Sequence, residues 1–383
     1  MIKKIKIISI IFLIYLAIDF TVTNLILKKT QLWKNAKEID HYWRIKSEIY
    51  HHDIMPNVDV IEPWQKFSKR LVTNSIGFRD FNKKNIVREN KKQKRILLIG
   101  DSFIEGAGYD YEFTIGGLIQ NKLGSNYEVL NSAVGSYSPG IYYLKTKYYI
   151  DKGYKFDYAL VFLDVSDIYD ELFLKYSKDK SRIINHDYDK PIHKRSFYKV
   201  GDFLTSNTIL FKFLLYVSDQ TEILKNYTKL KYKASKKFKK SFLSTTKEDT
   251  LFFRMLTIDR GYWTLDNDEY LKIQPGLKKA DYFLKNLYKL LNENNIQSYL
   301  IIYPWPTQIF YGDEKHKNYW LNFSEKNGIN FINLYDQFES TNKRKFILDN
   351  FIFGDIHWNK AGTIKIFNGL NEKGVFSEIN STQ

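Results

Sequence analysis

Ile96-Leu97-Leu98-Ile99 carries no polar side chain. A strand built from it must be covered on both faces, which disfavours an antiparallel sheet with one wetted side. Tyr127 to Leu130 and Ala159 to Leu163 are further apolar runs, Tyr299 to Tyr303 is a fourth, and Ile329 to Leu334 is a weaker fifth. Helix-length segments separate them. The clearest is Leu277 to Leu291, where Leu277, Ala280, Phe283, Leu284, Leu287, Leu290 and Leu291 recur at three/four spacing on one face. Buried strands alternating with such helices predict an α/β fold, a parallel sheet with helices on both faces.

Composition narrows the classes that remain. With 383 residues, 44% hydrophobic and 27% charged, the chain has the make-up of one large or two small globular domains. It contains no cysteine, which excludes a disulfide framework, thiol catalysis and Cys-type zinc sites. A formal net charge of +16 permits attraction to lipid head groups, acidic polysaccharide or nucleic acid without choosing among them.

The N-terminus bears on the choice. Lys3, Lys4 and Lys6 precede a mostly apolar run from Ile7 to Leu27, which as a helix spans ~31 Å, about one hydrocarbon thickness. No small-residue cleavage signature follows, so residues 1–29 are expected to be a retained membrane anchor, with a longer signal peptide that is removed or a buried core helix as alternatives. Basic residues ahead of the run favour an inside N-terminus and an exported remainder, periplasmic or extracellular, although Lys28 and Lys29 oppose this. Asp19 is costly in such a helix unless it lies near an edge. An exported protein does not meet nucleic acid, so none is expected as a partner.

Residues 30–92 read as a connecting segment, with Trp33, Trp43 and Trp64 scattered through it. Residues 93–383 hold the α/β pattern, interrupted at about 172–270 by a basic, aromatic-rich insertion. Within it, Lys225, Lys229, Lys231, Lys233, Lys236, Lys237, Lys239 and Lys240 interleave with Tyr227, Tyr232 and Phe238. This reads as a solvated helical face, with anionic lipid or an acidic glycan as the alternative.

The chemistry concentrates at two places. After the first strand comes Gly100-Asp101-Ser102-Phe103-Ile104-Glu105-Gly106-Ala107-Gly108. A serine in a turn at the carboxyl end of a parallel strand is presented where ligands gather, beside N–H groups able to hold an oxyanion. The glycines fit neither GxxxxGK[ST] nor GxGxxG. Near the other end stands Asp355-Ile356-His357-Trp358-Asn359. Two positions apart in an extended segment, Asp355 and His357 project from the same side. The roles follow: Ser102 as nucleophile, His357 as general base and then acid, Asp355 as the group that holds the imidazole tautomer. Of the other histidines, His51-His52 beside Asp53 suggests a metal ligand, but no ligand motif is completed, and no metal or cofactor is expected.

GDSFIEGAG closely resembles the first sequence block of the SGNH hydrolases, the GDSL esterase/lipase superfamily, and DIHWNKAG resembles their last. The resemblance covers roughly residues 95–370. It implies a flavodoxin-like three-layer α/β/α sandwich with five parallel strands, esterase or acyl-transfer chemistry, and Ser102, Asp355 and His357 as the triad. In its terms the oxyanion hole would use Ser102, the backbone N–H of Gly135 or Ser136, and Ser166, which stands where the family has asparagine. Asp101, Asp167 and Trp305 are the expected substrate contacts, with Trp305 placed either to stack on a sugar ring or to cover the end of the core. The segment Asn74-Ser75-Ile76-Gly77-Phe78-Arg79 loosely resembles what precedes this domain in envelope-polysaccharide acyltransferases. The expected function is a serine esterase acting on O-acyl, above all O-acetyl, groups of a cell-envelope polysaccharide. An O-acyltransferase onto such a glycan, and a non-catalytic glycan-binding protein with a degenerate site, are the alternatives.

Overall fold

The computed structural model describes residues 2–30, 43–64, 67–185, 204 and 207–381. Trp33, His41, His186 and His193 lie outside the described residues. The chain forms two compact units, Met1–Tyr42 with His186–Thr250, and Trp43–Asn185 with Leu251–Gln383.

In the first unit, α1 (Ile2–Leu25) is the one helix among the described residues long and apolar enough to cross a membrane. Ile8, Ile11, Leu13 and Ile14 are exposed along it. A second helix, α6 (Ile209–Lys237), carries the lysine-rich stretch. Asp19 is buried rather than bare. Its carboxylate accepts from the Ile209 and Leu210 N–H groups, at 2.8 and 3.0 Å, and from Thr23 Oγ1. These N–H groups open α6 and have no partner within the helix, so an anion there is stabilised by hydrogen bonds and the helix dipole. Lys28 Nζ reinforces the junction, donating to Asn207 Oδ1 at 2.7 Å.

The second unit holds the parallel sheet. Its strands are β5 (Lys94–Ile99), β6 (Tyr127–Asn131), β7 (Tyr158–Leu163), β8 (Gln297–Ile302) and β9 (Asn330–Asn333). All four pairings are parallel, in the order β6-β5-β7-β8-β9. This is the flavodoxin-like order, and helices on both sides make it a three-layer α/β/α fold. Helices α3 (Ile115–Leu123), α4 (Pro139–Asp151) and α8 (Asn267–Glu293) are among those that connect or cover the strands. The α8 residues Leu277, Ala280, Phe283, Leu284, Leu287 and Leu291 are buried as the three/four spacing demands, while Leu290 lies beside that stripe. The chain crosses from β5 to opposite sides to reach β6 and β7. The carboxyl end of β5 is therefore the switch point where such sheets bind ligands.

The stretch read as a connector is not one. It carries two antiparallel pairs, β1 (Arg44–Ser47) with β2 (His51–Ile54), and β3 (Asp59–Trp64) with β4 (Phe67–Val72). Trp43, Ile54, Leu71 and Phe78 from this region are buried, and Arg79 is fully enclosed with its Nη1 bonded to the Gly106 carbonyl.

Candidate active site

Strand β5 ends at Ile99, and Ser102 opens the short helix α2 (Ser102–Glu105). Asp101 caps this turn, its Oδ1 accepting from Phe103 N–H at 2.9 Å. Gly106 closes it at φ +88°, where a Cβ would stand 2.2 Å from Thr114 Cγ2, so only glycine fits.

Asp355 and His357 arrive on a different path. Residues 351–358 fold back on themselves, with Phe351 bridging Trp358 and Ile352 N–H donating to the His357 carbonyl. The expected extended geometry is replaced by this turn, which wraps the Asp355 carboxylate around the imidazole. Asp355 Oδ1 receives His357 Nδ1 at 2.7 Å, and His357 Nε2 lies 2.8 Å from Ser102 Oγ. Because a carboxylate only accepts, Nδ1 carries the hydrogen and Nε2 offers its lone pair to the serine hydroxyl. Burial acts to raise Asp355, but its bonds from His357 outweigh that and hold it below its ordinary value. The imidazole is packed against Phe103, with centroids 4.6 Å apart, and meets the edge of Trp64 at 5.2 Å.

Ser102 Oγ also lies 3.0 Å from Asp101 Oδ2. A hydroxyl has one hydrogen, so it donates either to Asp101 Oδ2 or to His357 Nε2 at any one moment. Burial, then the neighbouring Asp164, push Asp101 well above its ordinary value. Asp101, Asp164 and Asp167 bring carboxylate oxygens within 4.8 Å of one another, the one group of acids among the described residues close enough to share a cation. All three are buried and raised, primarily by that burial. Every oxygen of the three has a hydrogen-bond partner except Asp167 Oδ1. The donors are hydroxyl, indole and backbone N–H groups.

The remaining expected residues fall less simply. Gly135 abuts the nucleophile, since a Cβ there would meet Ser102 Cβ at 3.6 Å. Its N–H, however, donates to Glu105 Oε2 at 2.8 Å. Ser136, at φ +62°, makes no hydrogen bond through its N–H among the described residues, which leaves it the freer of the two donors. Ser166 Oγ donates its one hydrogen to Asp164 Oδ1 at 2.9 Å. Trp305 is fully buried, with its indole N–H 3.3 Å from Asp164 Oδ2, so its faces are closed to a sugar. Asp167 is likewise buried, receiving Tyr142 O–H at 2.8 Å.

Sequence reasoning missed a buried charge cluster beside the serine. Glu105 accepts from Arg44 Nη2 and Nη1 at 2.7 and 3.0 Å and from Lys69 Nζ at 3.1 Å, and Glu62 shares both cations. Burial acts against the Glu105 charge, but Arg44 and Lys69 hold it well below the usual carboxylate range. The signal was faint: Glu105 sits inside the serine motif, one helical turn on, while its partners are isolated charges in the supposed connector.

A cavity of about 10 Å³ adjoins His357, lined by Phe103, Ala107, Tyr109 and Trp358 among others. A groove of about 470 Å³ opens elsewhere on the carboxyl edge of the sheet, lined by Pro304, Asp313, Glu314, Tyr335, Glu339 and Lys343 among others.

No protein-family model matches the chain, and no curated protein matches it. Among solved structures, it is similar to the psychrotrophic esterase EstA from Pseudoalteromonas sp. in a form inhibited by monoethylphosphonate. That likeness has 12% identity and a TM-score of 0.37, and covers 75% of this chain and 100% of that one. A second solved chain is 10% identical at a TM-score of 0.34, covering 73% of this chain and 96% of its own length. The fold and the site define a three-layer α/β/α protein with a serine–histidine–aspartate hydrogen-bond chain at the switch point of its sheet.

Proposed function

We propose that the protein is a serine esterase of the SGNH/GDSL type, removing O-acyl groups, acetyl foremost, from a cell-envelope polysaccharide. The observation that carries the reading is the continuous path from Ser102 Oγ through His357 to Asp355. His357 Nε2 takes the serine proton as Oγ attacks the acyl carbon. The imidazolium, stabilised by Asp355, then protonates the departing sugar oxygen. Water attacks the acyl-Ser102 intermediate with His357 again as base, releasing the acid. The Ser102 and Ser136 N–H groups are the oxyanion donors, and no third donor comes from Ser166.

Substrate choice rests on polarity. The groove at the carboxyl edge of the sheet, edged by acids, Tyr335 and Lys343, offers hydrogen bonds of the kind a glycan uses. The apolar α1 suits a membrane anchor, with the catalytic unit outside the cytoplasmic membrane. Acyl transfer to a sugar hydroxyl is the second reading, favoured by the cover that Trp64 and Phe103 give the imidazole, which shields it from water.

The purified chain should hydrolyse p-nitrophenyl acetate and take a fluorophosphonate label, and Ser102→Ala should abolish both. Equal turnover by wild type and variant would remove Ser102 from the chemistry. Acyl groups gained rather than lost by an added polysaccharide would decide for transfer.

A further inference from the structure

We propose that His52, on β2, is a positioning residue that fixes the Gly135–Ser136 peptide so that its N–H faces the oxyanion formed at Ser102. This rests on the acyl-serine reading above.

The contact itself is explicit. His52 Nε2 lies 2.8 Å from the Gly135 carbonyl oxygen. A carbonyl only accepts, so Nε2 bears the hydrogen and Nδ1 is left as an acceptor. Nδ1 faces His51 Nδ1 at 2.7 Å, which must then be the donor. One tautomer of each ring satisfies both contacts. Burial lowers His52 to about 3, so the ring stays neutral at working pH. Its backbone is held as well, the His52 carbonyl accepting from Tyr137 O–H at 2.7 Å.

The consequence follows from peptide geometry. The Gly135 carbonyl and the Ser136 N–H belong to one planar unit and point in opposite directions. A donor fixed on the oxygen therefore sets where the N–H points, and polarises it. The preceding peptide is pinned too, its Gly135 N–H held by Glu105. The loop needs such support, because Ser136 sits in the left-handed region at φ +62°, a conformation that a residue with a side chain keeps only when its surroundings impose it. His52 touches the peptide and not the reacting atoms. The β1–β2 pair thus reaches the chemistry from outside the parallel sheet.

The test uses the full-length chain in detergent with p-nitrophenyl acetate. His52→Phe and His52→Met remove the donor, and His52→Gln replaces it with an amide N–H of similar reach. Loss of a whole oxyanion donor costs about 10²–10³ in rate, so misdirecting one is expected to lower kcat about 10- to 100-fold. KM should stay within about threefold and the acid limb of the pH profile should not move, because His52 is not the titrating base. His52→Gln should recover most of kcat. Thermal melts select the folded variants. A folded donor-less variant that keeps kcat within about threefold of wild type overturns the proposal, as does a His52→Gln variant no faster than the Phe and Met variants, or a change confined to KM. Ser102→Ala, assayed in parallel, separates the two layers. Its retained activity would sink the acyl-serine reading, whereas its inactivity beside an unimpaired His52→Phe would sink only the role of His52.

Discussion

Replacing Glu105 by Gln tests whether the charge cluster beside the serine is held together as its geometry implies. Glu105 is buried, and its carboxylate receives two Arg44 nitrogens, Lys69 Nζ and the Gly135 N–H within 3.1 Å. The substitution keeps the shape and an accepting oxygen but leaves two cations facing Glu62 alone. Breaking a buried ion pair from one side costs about 3–5 kcal/mol, because the partner charge stays desolvated. The Lys69 side chain is 0% exposed and receives no relief from water, while Arg44, at 26%, receives some. The lower end, about 3 kcal/mol, is therefore expected, a substantial part of the roughly 5–15 kcal/mol that holds a typical domain. The assay is urea unfolding of the purified chain at neutral pH, followed by near-ultraviolet circular dichroism. Adding Lys69→Met removes the surplus cation and should restore at least about 1 kcal/mol. A Glu105→Gln protein within about 1 kcal/mol of wild type, or two substitutions whose costs simply add, would refute the reasoning.

Two further outcomes are expected. Burial, then Asp164 and Asp101, raise Asp167 well above its ordinary value, so the native state binds that proton more tightly than the unfolded chain. Stability should then fall as pH rises from the ordinary carboxylate range toward the raised value. Asp167→Asn cannot ionise, and its melting temperature should drop less than that of wild type between pH 5 and pH 8; parallel drops would contradict the raised Asp167. In the first unit, Asp19→Ala removes the acceptor at the start of α6 and should cost about 1 kcal/mol there, read as faster proteolysis near Ile209 in micelles, with Asp19→Asn milder. Equal cleavage of all three proteins would show that the cap does not hold the helix.

Much of the geometry of the candidate site was legible in the sequence. Ser102 and His357 could be paired because a serine turn after a buried strand and an Asp-x-His near the last helix are each local patterns. The fold required only that they meet at one sheet edge. The support around them was not legible. Arg44, Lys69, Glu62 and Glu105 are dispersed charges whose complementarity exists only after β1 to β4 dock. The His51-His52-Asp53 triplet stood out on paper as a metal candidate. In the fold His52 binds the Gly135 carbonyl, and Asp53 pairs with Lys145 at 2.7 Å. Trp305 was ambiguous for a related reason: an aromatic residue after a strand has the same sequence signature whether it lines the active edge or, as here, closes the core.

What the residue order determined alone was periodicity. All-apolar runs became β5 and β7, and three/four spacing became α8, because these patterns decide burial within a few residues. Tertiary structure decided the rest: which N–H beside Ser102 is free, why Asp19 is tolerated, and where the three buried acids gather. Those depend on directional contacts between groups far apart in the chain, and neither side of such a contact carries a mark of its partner until the backbone brings them within 3 Å or so.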